Sequence, residues 1–310
     1  MSRSSSEGAP GQGATRCGFV AVLGAPNVGK STLVNALVGA KVSIVTPKVQ
    51  TTRVPVRGIA MAGDAQIIFV DTPGIFAPRR RLDRAMVAAA WSGAGDADVI
   101  ALVIDARRGL DDEAQAIAAK LGHAKAKKAL VINKIDLLAR EKLLPLAAEA
   151  DRVAAFDRIF MVSALKGDGL KEVLAYLSEA MPAGPWLYPA DEISDLAERL
   201  MAAEITREQI YLKLHEELPY QSTVETDSWK ELADGSVRIE QSVFVEREGQ
   251  KKIALGEGGK MIKAISMAAR KEIERASDKR VHLFLHVKVR EDWENEPERY
   301  RAIGLELPKD

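Results

Sequence analysis

At 310 residues, with 44 basic against 44 acidic side chains and an ordinary apolar share, the chain has room for about two domains that each bury a core. Its single cysteine, Cys17, excludes a disulfide framework and suits a reducing compartment. No window approaches the ~20 apolar residues of a membrane span, and the opening MSRSSSEGAPGQGATR lacks the apolar stretch of a signal peptide.

Residues 1–16 are Ser/Gly-rich and read as a disordered leader, with Cys17 at its end as an incidental exposed thiol. The chain as a whole reads as soluble and cytoplasmic. CGFVAVLG (17–24) is an apolar run that meets a glycine turn and then a helical pattern, STLVNALVG (31–39). AQIIFVD (65–71), VIALVIDA (99–106), KALVINK (128–134) and DRIFMVS (157–163) repeat the strand signal. Helical patterns near 82–92, 111–122, 139–155 and 169–180 separate most of them. Alternation of this kind predicts an α/β domain over 17–181, a mainly parallel sheet with helices on both faces.

PAGPWLYP carries three prolines and reads as a linker, 182–190. From 191 to 310 the rhythm changes. A helix (191–217), two strands (222–229 and 236–248), a glycine turn, a helix (259–276) and a strand (281–290) follow. With a short helix before the glycine turn, this is a smaller α+β domain of order α-β-β-α-α-β. Charge is also uneven. Eleven Lys/Arg face four acids between 251 and 290, a local excess of seven, while 191–250 is acidic.

GAPNVGKS fits the phosphate-loop pattern: Gly24, Ala25, Pro26, Asn27, Val28, Gly29, Lys30 and Ser31, with Thr32 in the first helical turn. Backbone N–H groups and the helix N-terminus attract phosphates there. Lys30 would reach the β- and γ-phosphates, and Ser31 would ligate magnesium. In DTPG, Asp71 would hold magnesium through water and the Gly74 N–H would sense the γ-phosphate, with Thr72 and Pro73 between them. NKID ends a later strand and separates guanine from adenine. Asp136 can accept from both N1–H and the exocyclic amine of guanine, Asn133 adds a polar contact, and the Lys134 stem covers the ring. This disfavours an ATP-dependent kinase. In Ser163-Ala164-Leu165, the Ala164 N–H would meet the guanine O6. The first switch reads as QTTRV, with Thr52 closing over magnesium and Thr51 as the alternative. Lys30, Thr52, Asp71 and Gly74 thus carry the expected catalysis, and Ser31, Thr52 and Asp71 the metal. Arg79, Arg80 and Arg81 read as a solvated cluster.

In order and spacing these motifs resemble the translation-factor-like branch of P-loop GTPases. Ras-like members place a water-orienting glutamine directly after DxxG. Here Ile75 stands there and reads as a hydrophobic anchor, so hydrolysis is expected to be slow without activation. Asn27 has two readings: it shapes the loop, or, as in related GTPases, it holds a potassium ion against the phosphates.

LGEGGKMI (255–262) is a second glycine loop, but Met261 follows its lysine, so it is no nucleotide site. Gly256, Glu257, Gly258 and Gly259 match GxxG before a helix whose Ile262, Ile265, Ala269, Ile273 and Ala276 share a face. The pattern resembles the bacterial type of KH fold, in which such a turn approaches single-stranded RNA. Glu257 is unusual beside phosphodiesters, so Lys260, Lys263, Lys251 and Lys252 would carry the attraction. With PNVGKSTL, QTTR, DTPGI, NKID, ELPY and GEGGKMIK, nearly the whole chain resembles the Era family of bacterial GTPases. That resemblance implies GTP hydrolysis, binding of the 3′ end of small-subunit ribosomal RNA, help in assembling the small ribosomal subunit, and loose contact with the inner membrane; no DNA partner is expected. The alternative is a GTP-regulated module whose basic domain grips a protein or membrane surface.

Overall fold

The computed structural model describes residues 15–153, 155–291, 293 and 305. The expected disordered leader, apart from residues 15 and 16, lies outside the described residues. The first half is built from β1 (Arg16–Leu23), α1 (Lys30–Val38), β2 (Val56–Ala62), β3 (Ala65–Asp71), α2 (Arg81–Gly95), β4 (Val99–Asp105), α3 (Asp112–Leu121), β5 (Lys127–Asn133), α4 (Leu143–Val153), β6 (Arg158–Met161) and α5 (Leu170–Ala180). The sheet order is β2-β3-β1-β4-β5-β6, parallel except for β2.

Residues that alternate along the central strands face opposite layers. Val20, Val22, Ile67, Phe69 and Val103 pack under α1 and α5. Ala21, Leu23, Ile100, Leu102 and Ile104 pack under α2, α3 and α4. Both faces are therefore covered, as parallel strands require.

Two expectations need correction here. Cys17 is not an exposed leader thiol: it lies in β1 opposite Gln66, is 8% exposed, and its Sγ sits 3.6 Å from the Gln66 Oε1. Cys17 opens the apolar run that forms β1, and the ladder to β3 carries its side chain into the sheet beside Gln66. The second point is β2, VRGIAMA, which the periodicity does not predict. Its glycine and alanines give weak strand preference, and it forms by antiparallel pairing along all of β3.

The second half comprises α6 (Glu198–Lys213), β7 (Ser222–Glu231), β8 (Val237–Val245), α7 (Glu248–Leu255), α8 (Lys260–Ser277) and β9 (Val281–Val289). Its sheet runs β7-β8-β9, with β8 and β9 parallel. Ile210, Val243, Val245 and Ile265 form one buried cluster, and Ile205, Ile239, Ala269, Ile273 and Val281 a second. Ala276, expected on the same buried face, is exposed in the last turn of α8.

The connection between the halves is not loose. Trp186 Nε1 donates to the Asp64 carbonyl at 3.0 Å, and Gln66 Oε1 accepts from the Leu187 and Tyr188 amides at 2.8 and 3.0 Å. Further on, the Ile59 N–H donates to the Ile193 carbonyl at 2.9 Å, and Ser194 bridges to Gly58. Arg57 pairs with Asp195 at 2.9 Å. The segment runs along the β2 edge as an added partial strand.

Candidate functional site

All four nucleotide motifs follow C-terminal strand ends, β1, β3, β5 and β6, on one edge of the sheet. Ligands of open α/β sheets bind at that edge. A cavity of about 510 Å³ opens there, lined among others by Pro26, Asn27, Lys30, Ser31, Thr32, Thr52, Gly74, Asp105, Arg107 and Lys134. A larger one of about 730 Å³, between α2 and the β2–β3 side, contains none of the motif residues.

Two glycines of the phosphate loop are sterically required. At Gly24 (φ 149°) a Cβ would run into the Val103 carbonyl, and at Gly29 (φ 96°) into the Asn133 side chain. Lys30 is buried, and its Nζ donates to the Gly24 and Ala25 carbonyls at 3.1 and 3.0 Å. Burial pushes that ammonium down to about 8, with the Asp71 charge pulling the other way. The DTPG turn is pinned to the loop: Ile75 N–H donates to the Gly24 carbonyl at 3.0 Å, and Pro26 packs on Gly74. Thr72 is buried and bonds the Val22 carbonyl at 2.7 Å. Ile75 is buried among Ala21, Leu23 and Ile104, an anchor rather than a group facing water.

The expected metal residues converge. Ser31 Oγ lies 2.9 Å from Thr52 Oγ1 and 2.6 Å from Asp71 Oδ2. Thr51 turns away, to Thr46 at 2.6 Å and the Lys48 carbonyl at 2.8 Å. Asp71 Oδ1 is buried with no hydrogen-bond partner. Burial drives the Asp71 carboxyl pKa up, against the Ser31 hydrogen bond and the Lys30 charge. Two hydroxyls and a buried carboxylate with an unspent oxygen are a hard-oxygen donor set that fits magnesium.

On the base side, Asn133 is the hub. Its Nδ2 donates to the Val28 carbonyl at 3.0 Å, while its Oδ1 accepts from the Lys134 and Ala164 amides at 2.8 and 3.0 Å. The Ala164 N–H, expected to point at the guanine O6, thus bonds Asn133, because a buried N–H takes the nearest acceptor. Asp136 bonds the Ser163 hydroxyl at 2.7 Å, and Leu165 is exposed. Asn27 (φ 62°) donates from Nδ2 to the Pro47 carbonyl at 3.0 Å, linking the loop to the first switch.

That switch is held from the other half, a feature absent from the sequence reading. Arg207 of α6 donates to the Thr51 carbonyl at 2.6 Å. Glu208 accepts from the Val45 N–H at 2.8 Å and pairs with Lys41 at 2.5 Å. Arg53 is buried, donating to the Ser222 and Tyr220 carbonyls at 2.9 Å each and to the Tyr211 hydroxyl at 3.1 Å, under the Trp293 ring. No sequence signal marks Arg207 or Glu208; they lie on an ordinary helix more than 150 residues from their partners. Of the arginine cluster, Arg80 approaches Glu217 at 3.7 Å.

The second glycine loop joins α7 to α8 and bends through Gly256 (φ 70°), Gly258 (φ 58°) and Gly259 (φ 77°). Glu257 and Lys260 are exposed and lie 4.0 Å apart, so the acid is partly neutralised by its own turn. Lys252 and Lys263 are exposed and Lys251 is half-buried. Nearby, a groove of about 190 Å³ between α8 and β9 is lined by Ser266, Met267, Arg270, His282, Leu283 and Phe284. Met267 and Phe284 are exposed apolar side chains in this groove, the kind of surface on which bases stack, and Ile253 of α7 is a third exposed apolar side chain of this half.

A phosphate-binding α/β domain that reads guanine, joined to a KH domain, defines the class. Two family profiles agree with it, "50S ribosome-binding GTPase" over residues 19–134 and "KH domain" over 217–294. GTPase Era of Afipia carboxidovorans is 64% identical over 96% of both chains, and GTPase Era of Rhizobium meliloti is 60% identical over 100% of this chain and 99% of that one. A crystal structure of Era in complex with MgGDPNP and nucleotides 1506–1542 of 16S ribosomal RNA matches at TM-score 0.89 with 38% identity, covering 94% of this chain and 99% of that one. A single-residue variant of Aquifex aeolicus Era bound to GDP.AlF4- matches equally well. The chain belongs to the Era family of GTPases.

Proposed function

We propose that this GTPase is a switch that binds the 3′ end of small-subunit ribosomal RNA through its KH half and assists assembly of the small ribosomal subunit. The observation that carries the coupling is the grip of α6 on the first switch: Arg207 and Glu208 hold the backbone on either side of the segment that ends in Thr52. A nucleotide-driven shift of Thr52 must therefore be transmitted to α6, the first helix of the RNA-binding half. Similarity to an Era bound to MgGDPNP and 16S ribosomal RNA supports the reading. We assign residues 17–181 to the GTPase domain, 182–190 to the linker and 191–310 to the KH domain.

Ser31 and Thr52 would hold magnesium directly and Asp71 through water; when bound, the ion neutralises charge on the β- and γ-phosphates. Lys30 would bind those phosphates from the loop side and the Gly74 N–H from the other. Asn133, Lys134 and Asp136 would orient the base. Ile75 has no polar atom with which to orient water, so positive charge must be completed elsewhere. Potassium at Asn27 fits this need, because the Pro47 carbonyl beside it is a ligand of the right kind. Replacing potassium by sodium should then slow hydrolysis about tenfold or more in the native protein and leave Asn27→Ala unaffected; equal slowing of both would discard the site.

The test of function is binding of a labelled single strand from the 3′ end of small-subunit ribosomal RNA, with GTP analogue or GDP, to native protein and Gly258→Asp. We expect binding favoured by one nucleotide state and weakened about tenfold or more in the variant. Binding indifferent to both, with retention on vesicles of acidic lipid, would favour the membrane-surface reading instead.

A further inference from the structure

The geometry points to Asp105 as the positioning residue of the guanine site: it fixes the Lys134 side chain that lies over the base, and so sets how fast the nucleotide leaves. This rests on the reading of NKID as the guanine site. β4 and β5 pair in parallel with Asp105 opposite Asn133, so the end of β4 stands beside the start of NKID. The Asp105 side chain is almost fully buried yet forms part of the cavity wall. Its Oδ2 accepts from Lys134 Nζ at 2.9 Å and from Arg107 Nη2 at 3.2 Å; its Oδ1 accepts from the Arg107 N–H at 2.9 Å.

Lys134 is otherwise a poorly fixed group. Its backbone is left-handed (φ 64°), and a lysine stem has many rotamers. Here two acceptors hold the ammonium at the tip of that stem, the Asn27 carbonyl in the phosphate loop and Asp105 in β4. With its Cα placed just after β5 and its tip fixed by these two acceptors, the stem is held in one course, where it would cover the base. Burial favours a neutral Asp105, but hydrogen bonds from Arg107 and Lys134 outweigh it and hold the carboxyl below its ordinary range, so the acceptor is charged. A charged acceptor is roughly twice as strong as a neutral one. The two cations that this carboxylate serves are Arg107 and Lys134.

A purely structural role is the competing account, because Asp105 also caps the turn that follows it through the Arg107 N–H. The two accounts differ in whether the effect passes through Lys134. The experiment is a double-mutant cycle on release of fluorescent N-methylanthraniloyl-GDP, chased with excess GDP, for native protein, Asp105→Asn, Lys134→Ala and the pair. Thermal melting of each nucleotide-free protein runs alongside. Asp105→Asn is expected to release GDP about tenfold faster in the native background. In the Lys134→Ala background the same change should alter release by less than about twofold. Asp105→Glu, which keeps the charge, should recover most of the slow release. Equal acceleration in both backgrounds, or none in either, overturns the proposal; a variant that melts early and accelerates release regardless of Lys134 counts with the former. Failure of the underlying site shows separately, as native protein that does not prefer GDP to ADP.

Discussion

The guanidinium of Arg53 sits in the first half of the chain, but its hydrogen bonds and the Trp293 ring over it come from the second. A buried cation held by carbonyls is costly to remove because the acceptors lose a charged donor at once. Arg53→Ala should lower stability by about 3 kcal/mol in urea unfolding. Arg53→Lys should recover little, since an ammonium cannot span the same fork of acceptors. A loss below about 0.5 kcal/mol would show that the two halves do not meet through this residue. The glycine loop gives a second contrast. A Cβ at Gly256 would lie 2.7 Å from the Met261 Cβ, whereas one at Gly258 meets nothing within 4 Å. Both have positive φ, so both alanine variants are strained, but Gly256→Ala should melt lower than Gly258→Ala. The reverse order would mean that the close approach at Met261 relaxes freely.

At the scale of elements, the helix that matters is α6. Glu204 anchors Arg207 from one turn before, and Tyr211 lies one turn after it, so one face of the helix presents Glu204, Arg207, Glu208 and Tyr211 to residues 45–53. With Arg207→Ala and Glu208→Ala combined, the segment around Lys48 should be cut by trypsin several-fold faster, and GDP exchange should quicken. Unchanged cleavage would mean that α6 merely lies beside the switch. None of this was readable in the sequence, because it depends on tertiary contact between distant segments. What was readable followed from local signals: glycines that only fit a phosphate loop, motifs at strand ends, and apolar positions Ile265, Ala269 and Ile273 at helical spacing on α8. β2 escaped because its residues are indifferent strand formers recruited by β3. Cys17 opens the apolar run that becomes β1, but beside the Ser/Gly-rich leader its thiol reads as exposed, and its burial comes from the partner strand β3, which its own composition does not show. Asp105 did carry a signal, a carboxylate at a strand end on the ligand-binding edge, but a lone one.

For the molecule as a whole, zero net charge conceals a division of labour. The positive excess is concentrated around the second glycine loop, so attraction for a polyanion is local. Each lysine that meets a phosphate releases counterions and adds to salt dependence. Lys260→Gln with Lys263→Gln should flatten the slope of log affinity against log salt by about 1.4 for single-stranded RNA. An unchanged slope would place the strand elsewhere on the surface.

The connection between the halves has a consequence for how they move. Its hydrogen bonds to β2 and β3 extend to residues 193–195, and α6 begins at Glu198. The slack available to the second half is therefore a couple of residues rather than the whole proline-bearing segment. A swing of the second half would therefore pivot like a door on a short hinge rather than drift like a float on a line. Little chain entropy would be gained on opening the α6 grip and little lost on closing it. In the proposed switch, the balance between held and released positions would then be set by the contacts themselves, so a modest change at Thr52 would tip it.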